Sequence, residues 1–201
     1  MVGGVPPSNF TSEGSATTTC STQWDGALSY PRQSTRPLSI HVTNFQNISD
    51  GIDIFNSSGT QVANFNTSIT GQGDVSVFAN GTLATNDQNN NAVEFWSQTG
   101  TLLQTVSLTG LTDPFGSTVG SDGILYIAGV TSNNIARVNS SGGLLGNISL
   151  SFSPGDLVMN PADGTLWISG IGNGKVEHVT TSGTVLGSFS TGLSGAFTVS
   201  G

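Results

Sequence analysis

Residues 93–106 read Val93-Glu94-Phe95-Trp96-Ser97-Gln98-Thr99-Gly100-Thr101-Leu102-Leu103-Gln104-Thr105-Val106. Two short runs of β-branched, aromatic and aliphatic residues flank a polar turn whose glycine tolerates a left-handed backbone, the pattern of a strand, a hairpin turn and a second strand. The turn returns as Asn56-Ser57-Ser58-Gly59-Thr60, Asn139-Ser140-Ser141-Gly142-Gly143 and Thr180-Thr181-Ser182-Gly183-Thr184, with the glycines 41, 42 and 41 residues apart. Around each glycine the same runs recur, predicting strands over 52–55, 93–96, 135–138 and 176–179, and over 62–65, 103–106, 145–148 and 186–189.

A second hairpin precedes this one in each period. Ala79-Asn80-Gly81, Ser121-Asp122-Gly123 and Ala162-Asp163-Gly164 carry the Asn-Gly and Asp-Gly pairs that two-residue hairpin loops favour. Strands are expected after them at 83–85, 125–127 and 166–168, and before them at 75–78, 117–119 and 157–159, opened by Gly73, Gly116 and Gly155. Four short antiparallel strands per 41 or 42 residues make a sheet too small to bury its own faces, so successive sheets must stack around an axis. The fold class is therefore all-β, a β-propeller of four-stranded antiparallel blades with about four blades visible. A sandwich does not demand so regular a period, and a solenoid repeats at a shorter one.

The ends leave two arrangements open. Gly195-Ala196-Phe197-Thr198-Val199-Ser200-Gly201 matches an innermost strand without its successor, and Pro37-Leu38-Ser39-Ile40-His41-Val42 reads as that missing second strand, which would close a four-bladed ring. Asp25-Gly26-Ala27-Leu28-Ser29-Tyr30-Pro31, however, resembles Gly155-Asp156-Leu157-Val158-Met159-Asn160-Pro161; the first blade then owns an inner strand and the chain is an arc of a larger propeller. Residues 1–36 lack the repeat and read as an irregular Ser/Thr/Pro/Gly-rich arm ahead of the repeats at 37–201.

Val77-Phe78-Ala79-Asn80-Gly81-Thr82-Leu83-Ala84-Thr85-Asn86-Asp87, Gly120-Ser121-Asp122-Gly123-Ile124-Leu125-Tyr126-Ile127-Ala128 and Asp163-Gly164-Thr165-Leu166-Trp167-Ile168-Ser169 resemble NHL-type repeats and the six-bladed propellers of the gluconolactonase-like group. The resemblance covers about residues 37–201 and speaks to blade architecture, since such repeats serve enzymes, ligand binders and scaffolds alike. It implies six blades, and a channel metal held by acidic and Asn ligands. Asp74 and Asp156, each following the glycine that opens an inner strand, are the candidate ligands here for a hard cation such as Ca2+; Ser117 and Ala196 stand at roughly the same place in the other units.

No other cofactor is expected, and no catalytic residue is assigned. His41 and His178, the two histidines, fall in different units, and neither a G-x-S-x-G elbow, an H-E-x-x-H pair nor a P-loop is present. Asp50, Asp122 and Asp163 belong to turns, where an Asp side chain bonds local backbone. Trp96, Tyr126 and Trp167 are expected to pack between blades, with sugar stacking as their other use.

With a net charge of −8 and only Arg32, Arg36, Arg137 and Lys175 as fixed cations, the chain has no cluster to neutralise phosphates, which argues against nucleic acid. Cys20 is the only cysteine, and no apolar run is long enough to span a membrane. The Ser/Thr/Asn/Gly-rich, Lys-poor composition and the sequons at Asn9, Asn47, Asn56, Asn66, Asn80, Asn139 and Asn147 suit an extracellular or surface glycoprotein whose leader lies outside this sequence. The expected function is thus a non-enzymatic propeller for binding or self-assembly, its partners proteins that include other copies through the arm and terminal strands. The alternatives are a metal-dependent lactonase- or lyase-like propeller and a carbohydrate-binding module.

Overall fold

Every one of those glycine-marked turns closes a hairpin in the computed structural model, which describes residues 39–43 and 51–193. Gly59, Gly100, Gly142 and Gly183 take φ of 76°, 82°, 82° and 93°, a region in which an L side chain is strained. In each turn the N–H of the glycine meets the carbonyl three residues earlier, at 2.9 to 3.1 Å. Fifteen strands result among the described residues, and consecutive strands pair antiparallel throughout each sheet.

The first sheet holds β1 (Ser39–Thr43), β2 (Ile52–Asn56) and β3 (Gln61–Phe65). The second runs β4 (Gln72–Val77), β5 (Leu83–Asp87), β6 (Ala92–Trp96) and β7 (Leu102–Ser107). The third runs β8 (Pro114–Val119), β9 (Ile124–Gly129), β10 (Asn134–Asn139) and β11 (Leu144–Ser149), and the fourth β12 (Pro154–Met159), β13 (Leu166–Gly170), β14 (Lys175–Val179) and β15 (Val185–Ser190). The propeller reading therefore holds, as an arc of sheets not closed into a ring. The segments at 25–31 and 195–201 on which ring closure was weighed, and Cys20, lie outside the described residues.

Core formation is an affair between sheets. Among the described residues there are three apolar clusters, one at each junction. Ile52 and Ile54 of the first sheet meet Val75, Leu83 and Trp96 of the second. Val93, Phe95 and Val106 of the second meet Leu125, Ile127 and Val138 of the third, whose Tyr126, Ile135 and Ile148 meet Leu157, Leu166 and Ile168 of the fourth. Period-2 alternation sends one set of side chains to each face, so an inner blade is apolar on both sides. Trp96 and Tyr126 are buried in these junctions, leaving Trp167 as the half-buried aromatic of the three.

Candidate functional site

The innermost strands β4, β8 and β12 start three residues earlier than the sequence pattern predicts, because each passes through a β-bulge before its regular pairing begins. Gln72 faces Asp87 and Val75 faces Thr85; Pro114 faces Gly129 and Ser117 faces Ile127; Pro154 faces Gly170 and Asp156 faces Ser169. Each bulge sets two residues against one, Gly73-Asp74, Phe115-Gly116 and Gly155-Asp156, and so re-aims a side chain at the sheet margin. The pairing corrects one detail of the sequence alignment. Gly116, not Ser117, holds the place equivalent to Asp74 and Asp156, since Ser117 lies one residue further on, equivalent to Val75 and Leu157. Ala196 is outside the described residues.

Asp74 and Asp156 thus come from alternate sheets with Gly116 between them, and the missing side chain there is what lets the strands close up: a Cβ on Gly116 would lie 2.4 Å from Asp156 Oδ1. Both carboxyls are buried. Asp74 Oδ1 accepts the N–H of Val75 at 2.7 Å, and its Oδ2 accepts the N–H of Ser117 on the next sheet at 3.0 Å. Asp156 Oδ1 accepts the N–H of Leu157 at 2.8 Å. Ser76 and Ser117 meet through their hydroxyls at 3.0 Å.

Burial, reinforced by the negative field of Asp156, drives the Asp74 carboxyl well above the ordinary carboxylate range, and the amides of Ser117 and Val75 only partly offset this. A folded-state value raised above the unfolded one favours folding fully at low pH and loses that contribution as pH rises. We therefore expect the stability of Asp74→Asn relative to the wild type to rise between about pH 4 and neutrality, as the wild-type carboxyl loses its low-pH contribution. Thermal melts across pH check this, at about 2–4 °C for each kcal/mol; a gap that does not change with pH refutes it.

Two residues at this place in the repeat tie neighbouring sheets together. Thr43 donates its hydroxyl to Gly73 O at 2.8 Å, and Asn86 donates its amide to Phe115 O, the equivalent carbonyl one sheet on. Ala128 breaks the series at the third sheet, and Ser169 turns back to the N–H of Asp156 at 3.2 Å. No periodicity signalled these bonds, because Thr, Asn and Ser share only a hydrogen-bonding head.

His41 is fully buried, neither ring nitrogen has a hydrogen-bond partner among the described residues, and burial lowers its pKa. His178 stacks on Trp167, ring centroids 4.1 Å apart and 7° from parallel, and bonds Thr165. Of the turn carboxylates, Asp50 lies outside the described residues; Asp122 accepts Ile124 N–H at 3.0 Å and Tyr126 O–H at 2.8 Å, and Asp163 accepts Thr165 N–H at 3.0 Å.

Of the sequons, Asn9 and Asn47 lie outside the described residues. Asn56, Asn66, Asn80 and Asn139 use their side-chain oxygens to accept backbone N–H groups of their own turns, at 2.6 to 3.0 Å. Asn147 instead donates its amide nitrogen to Thr109 O at 3.2 Å. Among the described residues no group of three or more His, Cys, Asp or Glu is arranged to hold a metal ion, and no helix is long and apolar enough to cross a membrane. What this region offers chemically is a pair of buried carboxylates in mutual repulsion.

This combination, an arc of stacked four-stranded sheets with a carboxylate pair on alternate inner strands, defines a propeller-type protein. Neither a family model nor a curated protein matches the chain. Among solved structures it is similar to a streptogramin B lyase, with 18% identity and TM-score 0.64 over 77% of this chain and 52% of the other. It is likewise similar to virginiamycin B lyase from Staphylococcus aureus, with 16% identity and TM-score 0.65 over 83% and 56%. A functionally unknown protein from Desulfotomaculum acetoxidans gives 16% identity and TM-score 0.68 over the same shares. At these identities the likeness establishes the fold, and the chain spans about half the length of the structures it matches.

Proposed function

We propose that the chain is a non-enzymatic binding and self-assembly module of an extracellular or surface propeller with NHL-type blades, glycosylated on turn sequons. The observation that carries the reading is a repeated one at the outer rim. Each outermost strand has a β-bulge, and the extra residue is aliphatic every time: Val62, Leu103, Leu145 and Leu186. All four are between 44% and 58% exposed. A bulge on an edge strand discourages indiscriminate strand pairing, so a rim that is bulged yet apolar suits selective protein contact made by side chains. The carboxylates are engaged by backbone amides of their own strands and, for Asp74, of the next sheet.

Static light scattering across the micromolar range tests the reading. Reversible self-association of the wild type is expected; a monodisperse monomer at every concentration, with or without residues 1–36, overturns self-assembly.

The Asp74 and Asp156 pair favours one second reading, a metal-dependent lyase-like propeller with Ca2+ or a similar ion between the carboxylates. On that reading a divalent ion raises the melting temperature, by about 2.7 kcal/mol of stability at a hundredfold excess over Kd, and the Asp74→Ala, Asp156→Ala double variant loses the shift. An unmoved melting curve excludes it.

A further inference from the structure

Each junction between sheets is built from the same two parts. The sheet ahead presents the glycine of its outer turn, and the sheet behind lays a side chain from its outermost strand against it. A Cβ on Gly100 would come within 2.6 Å of Phe65, on Gly183 within 2.7 Å of Ile148, and on Gly142 within 2.4 Å of Gln104. Phe65, Val106, Ile148 and Phe189 each stand six residues after their own turn glycine, and Leu193 stands where Phe152 does. In the third sheet that pair is covered, with Ile148 5% and Phe152 7% exposed; in the fourth, Phe189 is 54% and Leu193 62% exposed.

The opposite end of the arc has the matching vacancy. Gly59 holds the same left-handed turn as Gly100, Gly142 and Gly183, yet among the described residues nothing stands within 4 Å of where its Cβ would be. Ile40 and Phe55, which the sheet pairing makes equivalent to the fully buried Leu125 and Val138, are only half-buried. So the described arc ends in one uncovered face of each kind, and the two do not meet.

We propose that these ends dock on a second copy of this chain: the Phe189 and Leu193 face of one copy seats on the Ile40, Phe55 and Gly59 face of the other, and two identical head-to-tail contacts close a ring of eight sheets. A head-to-tail contact whose rotation closes gives a finite assembly rather than a fibre. The occupant follows from continuity, because the missing contact is the one Phe65 makes with Gly100 and Ile148 with Gly183 at two of the three junctions. The inference rests on the self-assembly reading but seats self-association at the arc ends, leaving the rim to contacts with other proteins.

Sedimentation velocity on the full chain tests it. The wild type is expected to dimerise. Phe189→Asp with Leu193→Asp weakens association at least about tenfold, as loss of a central apolar anchor does, and Ile40→Glu does the same from the other end, each with its β-sheet circular dichroism retained. Mixing the two variants restores a dimer, since one intact face of each kind remains. A second route avoids the half-buried Ile40: chains carrying Cys20→Ser with either Gly59→Cys or Phe189→Cys form an interchain disulfide predominantly when mixed and oxidised. Serine at the four rim positions leaves the dimer intact. A dimer that ignores both end substitutions but is lost with the rim substitutions overturns this inference while preserving the self-assembly reading; a monomeric wild type overturns both.

Discussion

Valine in place of Gly116 is expected to destabilise the protein by about 3 kcal/mol or to prevent folding, the upper range for forcing bulk into a packed interior. A Cβ there would sit 2.4 Å from Asp156 Oδ1, 2.6 Å from Asp156 Cα and 2.8 Å from Gly155 O. The carboxylate can swing aside, but the backbone of β12 cannot move without opening the bulge that positions Asp156. Inner strands β8 and β12 would separate, taking the junction behind them with them. Gly123→Ala is the comparison. Its φ of 74° penalises a side chain, but nothing lies within 4 Å, so only about 1 kcal/mol of backbone strain is expected. Urea unfolding of both variants measures the difference, and similar losses would show that the inner strands do not approach as described.

The second large effect belongs to the junctions. Leu125 is fully buried between the second and third sheets, beside Val93 and Phe95. Leu125→Ala removes transfer energy and leaves a cavity that β-sheets paired on both sides cannot collapse, for an expected loss of about 3 kcal/mol, or roughly 10 °C in melting temperature. Phe189→Ala, at the uncovered end, is expected to cost the isolated arc under about 0.5 kcal/mol. Thermal melts at low protein concentration decide it: equal losses at the two positions would mean that Phe189 is already covered within one chain.

How far the sequence was legible depended on range. Hairpins are local, and the glycines at 59, 100, 142 and 183 announced theirs because an αL turn selects glycine whatever surrounds it. Bulges are not local. Whether Asp74 aligns with Gly116 or with Ser117 is decided by which residue of β8 is left unpaired against β9, and the shared Gly-Asp and Gly-Ser dipeptides pointed one residue off. The ties from Thr43 and Asn86 were equally silent, since their acceptors lie 30 and 29 residues away on another sheet. Asp74 and Asp156 were visible as candidates; that they repel each other from alternate sheets was not.

Sequence alone determined the unit: period, strand count and turn positions follow from residue alternation and from glycine's tolerance of positive φ, both of which act within a few residues. Only the tertiary structure decided which faces are covered. Ile148 and Phe189 occupy one place in the repeat and are chemically alike, yet one is buried and the other open to solvent, because burial of a small sheet is supplied by its neighbour and cannot be encoded in the strand itself.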